Sequence, residues 1–126
     1  MNRRLVPNIA VALVAIEHVY ILVLEMFFWN KPLGLKTFNL GQELADATVT
    51  LAANQGLYNG FLAAGLFWGL FTGNRTFKLF FLACVVVAGI FGGLTAVPKI
   101  FFTQAMPAII ALVLVLWMDR PAANAR

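Results

Sequence analysis

The chain has 126 residues, of which 62% are hydrophobic and 11% charged, and its mean hydropathy is +0.88. Soluble domains average about 25% charged residues, so this composition excludes a water-soluble globule and leaves no room for a soluble module beyond loops and tails. The net charge of +4 comes from nine Lys and Arg against five Asp and Glu. The basic residues stand in ones and twos at the ends of apolar runs. That pattern is topological and excludes a nucleic-acid patch; the lipid bilayer is the expected partner. Cys84 is the only cysteine, which rules out an intrachain disulfide and a multi-cysteine metal site.

A bilayer core of about 30 Å needs roughly 20 apolar residues as a helix. The first run, residues 5–29, is long enough, and Glu17, His18 and Glu25 are its only ionisable side chains. Arg3 and Arg4 precede it, but it is too long for a signal peptide and lacks a small-residue cleavage site before Asn30, Lys31 and Pro32, so it reads as a retained first helix. Pro32 and Gly34 end it. Residues 36–46 read as a polar loop, in which Asn39, Gln42, Glu43 and Asp46 resemble a helix start with acids at its positive end. A second span is expected over residues 49–71. After a turn at Thr72, Gly73, Asn74 and Arg75, a third runs over 76–95, and Pro98 and Lys99 mark its exit. The fourth covers 101–118, with Pro107 kinking it or sitting in its first turn. The chain therefore reads as a single all-α domain over residues 1–126, an integral membrane four-helix bundle with up-down-up-down topology.

Arg3, Arg4, Arg75, Lys78, Arg120 and Arg126 fall on the side of the termini, and Lys31, Lys36 and Lys99 on the other. This asymmetry predicts that both termini are cytoplasmic. Trp29 and Trp117 lie at span ends, as interfacial anchors do. Ala52, Gly56, Gly60 and Ala64 form a small-residue stripe on span two, and Gly89 and Gly93 a shorter one on span three. The two hairpin partners would pack tightly there, or a stripe would serve a homodimer.

Charges inside a span are expensive, roughly 2.5 to 3.5 kcal/mol for a carboxylate near the helix centre, so Glu17, His18 and Glu25 need partners, water or a ligand. At about 100° per residue His18 and Glu25 share a face and Glu17 is turned a quarter circle away. Asn54, Gln55, Tyr58 and Asn59 make a polar arc on span two, largely opposite its stripe. Measured from a shared outer boundary, Glu25 comes level with Asn54 and Gln55, and Glu17 and His18 level with Tyr58 and Asn59. Gln104 could reach the outer layer, with Thr95 and Lys99 at its rim and Lys99 within range of Glu25. These seven residues of spans one and two form the expected polar core and ligand-binding site.

Glu17, His18 and Glu25 are also the candidate metal ligands, although Glu-x-x-His spacing is absent and Glu17 and His18 are adjacent. His18 is the only histidine, which excludes a bis-histidyl haem within one chain. No cofactor is specified, and no phosphate loop, Ser-His-Asp order or CxxC motif is present. Acid-base chemistry at Glu17 or Glu25 suits either an enzyme or a proton-coupled carrier. Three functions stay open: binding or transport of a small, mostly apolar molecule or ion; membrane-embedded acid-base or metal catalysis on a lipid-soluble substrate; and a structural subunit of a membrane complex.

The strings AIEHVY (15–20) with LEMF (24–27), and LAANQGLYNGFLAAGL (51–66), resemble the small bacterial membrane proteins grouped as domain of unknown function thirteen-zero-four. The resemblance covers nearly the whole chain. It implies the membrane fold and a place in the bacterial inner (cytoplasmic) membrane, and leaves the activity open; members are sometimes labelled epimerase, yet no sugar, nucleotide or cofactor motif stands in this chain.

Overall fold

The computed structural model describes residues 2–121, and all their regular structure is helical. Arg126, counted above for orientation, lies outside the described residues. Helix α1 spans Leu5–Phe27; Pro7 is tolerated because its missing N–H falls in the first turn. The segment expected as a turn and polar loop instead holds two short helices, α2 (Pro32–Phe38) and α3 (Gln42–Ala47). Pro32, expected to break the chain, starts α2: proline's fixed φ suits the first helical position. Asn39 stops that helix in the left-handed conformation at φ 53°, which asparagine tolerates.

Helix α4 covers Val49–Phe71 and α5 Arg75–Thr95. Gly73 takes φ +64°, and the Asn74 side chain caps α5 by accepting from the Phe77 N–H at 3.1 Å. The last span opens with a π-helical segment, Phe101–Ala105, and continues as α6, Met106–Met118. Pro107 explains the change. It has no N–H for the carbonyl one turn back, and the Met106 N–H reaches the Phe101 carbonyl instead, the wider loop of a π-helix.

Three of these helices are long and apolar enough to cross a membrane: Leu5–Phe27, Arg75–Thr95 and Phe101–Met118. The fourth expected span, α4, has the expected bounds and length but is not one of the three; Asn54, Gln55 and Asn59 interrupt its apolar run.

The residues group into two compact units, one made of the stretches up to Ala15 and from Gly65 onward, the other Ile16–Ala64. In the first, α5 packs on the π-helical segment and α6, with Leu82, Val85, Ala105, Ala108, Ala111 and Val115 fully buried. A side chain at Gly89 would stand 2.5 Å from the Ala105 backbone, and one at Gly93 2.9 Å from the Phe101 Cβ. This stripe therefore serves the last span and not the hairpin with α4 that was expected, because the short connection after Thr95 folds the final helix straight back onto α5. In the second unit, Gly56 and Gly60 of α4 lie against Leu22, Glu25 and Met26 of α1. Helices in lipid lack a hydrophobic drive toward each other, so these close approaches supply the contact energy.

Candidate functional site

The second unit brings part of the expected site together. Glu25 lies where α1 passes Gly56, and its Oε2 accepts from Asn59 Nδ2 at 2.8 Å. That amide also donates to the Gln55 carbonyl at 3.2 Å. Glu25 thus pairs one turn deeper along α4 than the level of Asn54 and Gln55. The reason is the tilt of helical side chains toward their own N-terminus: in antiparallel helices the two lean toward each other along the axis.

The polar arc on α4 divides. Asn59 is half-buried and bonds Glu25 of α1, and Gln55, one turn before it and exposed, lines a cavity together with Glu25; Asn54 and Tyr58 are exposed on the adjoining row, and Tyr58 packs edge-on against Phe61 at 5.7 Å. One residue is about 100° of rotation, enough to carry that row off the contact. His18 is fully buried and engaged by its surroundings, and Glu17 is half-buried. Glu17, His18 and Glu25 do not converge: among the described residues no three His, Cys, Asp or Glu side chains are placed to hold a metal ion. Gln104 lies half-buried in the π-helical segment, and Thr95 and Lys99 are exposed.

Beside Glu25 is a half-open cavity of about 210 Å³, lined by Glu25, Trp29, Leu40, Leu44, Thr48, Leu51, Ala52 and Gln55. Its wall is mainly apolar. Helix α3 closes one side and is locked to the end of α1. Trp29 Nε1 donates to Thr48 Oγ1 at 3.0 Å, and Asp46 Oδ1 accepts from Asn30 Nδ2 and Gln42 Nε2, each at 2.9 Å. Gln42 also donates to the Asn30 carbonyl at 3.2 Å. The Asn30 and Gln42 hydrogen bonds, assisted by the Lys31 charge, hold the Asp46 carboxyl below its ordinary pKa. Trp29 and Phe38 pack with ring centroids 4.8 Å apart. Sequence reasoning missed Trp29, Leu40, Leu44, Thr48, Leu51 and Ala52 as lining residues. The available signal was the spacing of Leu40, Leu44 and Thr48, which recur at every fourth position across α3 and its flanks.

A second polar cluster, in the first unit, was also missed. Lys78, counted above among the basic residues on the side of the termini, is a buried residue of α5; its ammonium lies 2.5 Å from Asp119 Oδ2 and donates to Asn8 Oδ1 at 2.9 Å. Arg4 holds the other Asp119 oxygen at 3.1 Å. Such a pair satisfies both buried charges and ties together the ends of α1, α5 and α6.

Comparison with known proteins agrees with the resemblance in the sequence. The uncharacterized protein YpaA of Lactococcus lactis subsp. lactis (strain IL1403) is 36% identical over 105 residues, covering 80% of this chain and 88% of that protein. No solved structure matches the chain. The family described as "Protein of unknown function (DUF1304)" matches residues 12–116, and the chain belongs to that family.

Proposed function

We propose that the cavity beside Glu25 binds a small, mostly apolar molecule with a polar head, for binding or transport. The observation that carries this reading is an almost wholly apolar wall bordered by two residues with polar ends, Glu25 and Gln55. Pockets built this way take the body of a ligand by apolar contact and orient it by a few polar groups. An apolar cavity of roughly 150 Å³ accommodates a molecule of benzene's size, so about 210 Å³ fits one ring or a short chain with a head group. Asn59 positions Glu25; Glu17, His18, Asn54 and Tyr58 do not line the cavity.

In this reading α4 is a fourth crossing and the chain an up-down-up-down inner-membrane bundle. Its 23 residues at about 1.5 Å each exceed a core of about 30 Å. Arg3, Arg4, Arg75 and Arg120 then mark the cytoplasmic face, and Lys31, Lys36 and Lys99 the outer one, onto which the cavity opens.

The test is a titration of the isotope-labelled protein in detergent micelles with benzyl alcohol, followed at the indole N–H resonances. Trp29 lines the cavity, while Trp68 and Trp117 are exposed on the helices and report partitioning into the micelle. A saturable shift confined to Trp29, abolished by Leu51→Trp, supports the reading. A Trp29 response no different from that of Trp117 sinks it.

A further inference from the structure

We infer that the positively charged end of the first unit binds the phosphate head group of an anionic phospholipid and prefers it to a zwitterionic one. Helices α1 and α5 and the last span are each long and apolar enough to cross a membrane. Arg4, just before α1, and Lys78, in the first turn of α5, both reach Asp119, just after α6. Arg75, the first residue of α5, reaches the Leu116 carbonyl through Nη2. Two helix starts and one helix end therefore meet in one place, and the ends of apolar spans lie where lipid head groups begin.

The charges gathered there do not balance. Asp119 is the only Asp or Glu in the stretches that make up this unit, up to Ala15 and from Gly65 onward. Lys78 is buried against it, so those two charges cancel. Arg4 shares the same carboxylate and is half-exposed, Arg3 and Arg120 are exposed, and the chain gives them no other acid. Arg75 carries the argument furthest. A guanidinium has five N–H donors, yet Arg75 makes one hydrogen bond, at 3.5 Å, and its Nε is buried without a partner. The Leu116 carbonyl belongs to the last turn of α6, whose partial negative charge holds the guanidinium in place and leaves most of its donors unused. A phosphodiester takes two such donors at once. Basic sites between membrane helices suit anionic head groups for this reason, whereas a zwitterionic head brings its own ammonium into the excess of positive charge. Free phosphate shares the anion but lacks acyl chains, for which the exposed Phe71 and Trp117 flanking Arg75 and Asp119 in the chain offer apolar surface.

The experiment titrates the isotope-labelled protein in detergent micelles with phosphatidylglycerol and with phosphatidylcholine of the same acyl chains. Trp117, whose peptide group contains the carbonyl that Arg75 touches, is followed at its indole N–H resonance, and Trp29 and Trp68 report general partitioning. Each basic side chain near a membrane surface contributes about fivefold to binding of anionic lipid. With Arg75 and Arg120 both engaged, phosphatidylglycerol is expected to half-saturate Trp117 at a mole fraction about tenfold or more below phosphatidylcholine. Arg75→Gln and Arg120→Gln should each shrink that preference by about fivefold, and Lys36→Gln, a cation of the other unit, should leave it unchanged. Arg120 is exposed and lies beyond α6, so its replacement changes the charge without touching the packing. Equal half-saturation by the two lipids, a shift shared by Trp29 and Trp68, or a preference that survives both substitutions together overturns the inference. Inorganic phosphate moving Trp117 as far as phosphatidylglycerol does, with no lipid added, overturns the lipid as the occupant.

Discussion

Asn59 and Glu25 meet because each side chain leans toward its own helix N-terminus in antiparallel helices, so a pair that rotation and rise alone would miss comes within 2.8 Å. Interhelical hydrogen bonds within membranes contribute about 0.6 kcal/mol on average and up to about 1.7. A double-mutant cycle with Glu25→Leu and Asn59→Leu should return a coupling in that range by reversible unfolding in mixed micelles; a coupling of zero would separate the two residues. Lys78 and Asp119 form a tighter and more buried unit. Losing one member of such a pair costs about 3–5 kcal/mol, because the other charge is stranded. Asp119→Leu should reach this range, since Lys78 keeps only Asn8. Lys78→Met should cost less, since Arg4 still holds Asp119. Combining the two should recover part of the Asp119→Leu loss in the same unfolding measurement.

Glycine positions decide how the elements meet. At Gly34 a Cβ would collide with the Phe28 and Trp29 carbonyl oxygens, and at Gly89 it would stand 2.5 Å from the Ala105 backbone nitrogen. Backbone cannot move aside as a side-chain tip can, so Gly34→Ala and Gly89→Ala should each cost about 1–3 kcal/mol. Gly41→Ala, with nothing within 4 Å, should leave the melting temperature nearly unchanged. Helix α3 carries a pH dependence of its own. Folding lowers the Asp46 pKa, through hydrogen bonds to the charged form, so the unfolded chain holds its proton more tightly. Stability from Asp46 is therefore complete above the ordinary aspartate value near pH 4 and is lost as pH falls through the lowered folded value. Melting curves between pH 6 and pH 3 should show a smaller acid loss for Asp46→Asn than for the unmodified protein; parallel curves would remove Asp46 from the account.

Across the whole molecule the proposed topology places residue 41 outside and residue 72 inside, with α4 crossing between them. In a Cys84→Ser background, Gly41→Cys should react with an impermeant maleimide in cells whose inner membrane is intact, and Thr72→Cys only after permeabilisation. Both sites reacting from one side would remove α4 as a crossing. The two buried constellations also answer different needs. The Lys78 to Asp119 cluster is closed, with both charges matched inside the protein. Glu25 is bonded to an amide, Asn59, and its residue borders a mainly apolar cavity.

Composition and hydrophobic run length were enough to determine the membrane class, because about 30 Å of hydrocarbon sets the length of any apolar helix that crosses it. They also set the limits of α4 and α5 to within a residue, since Thr72 to Asn74 interrupt the helix locally. The strings around Glu17 and Asn54 were long enough to identify the family. What these signals lacked was azimuth and partnership. A polar row on α4 looks the same whether it borders α1 or lies one residue's rotation away, so Gln55 and Asn59 could not be told from Asn54 and Tyr58. Lys78 looked like one more orientation-marking cation on the side of the termini because its carboxylate, Asp119, lies 41 residues further along the chain. The cavity depended on α3, a six-residue helix inside a segment that reads as a polar loop, held by the Trp29, Asn30, Gln42 and Asp46 hydrogen bonds. Local patterning determined which segments are helical and apolar; only tertiary packing decided which charges are matched and by what, because each of those pairings is made between residues distant in sequence.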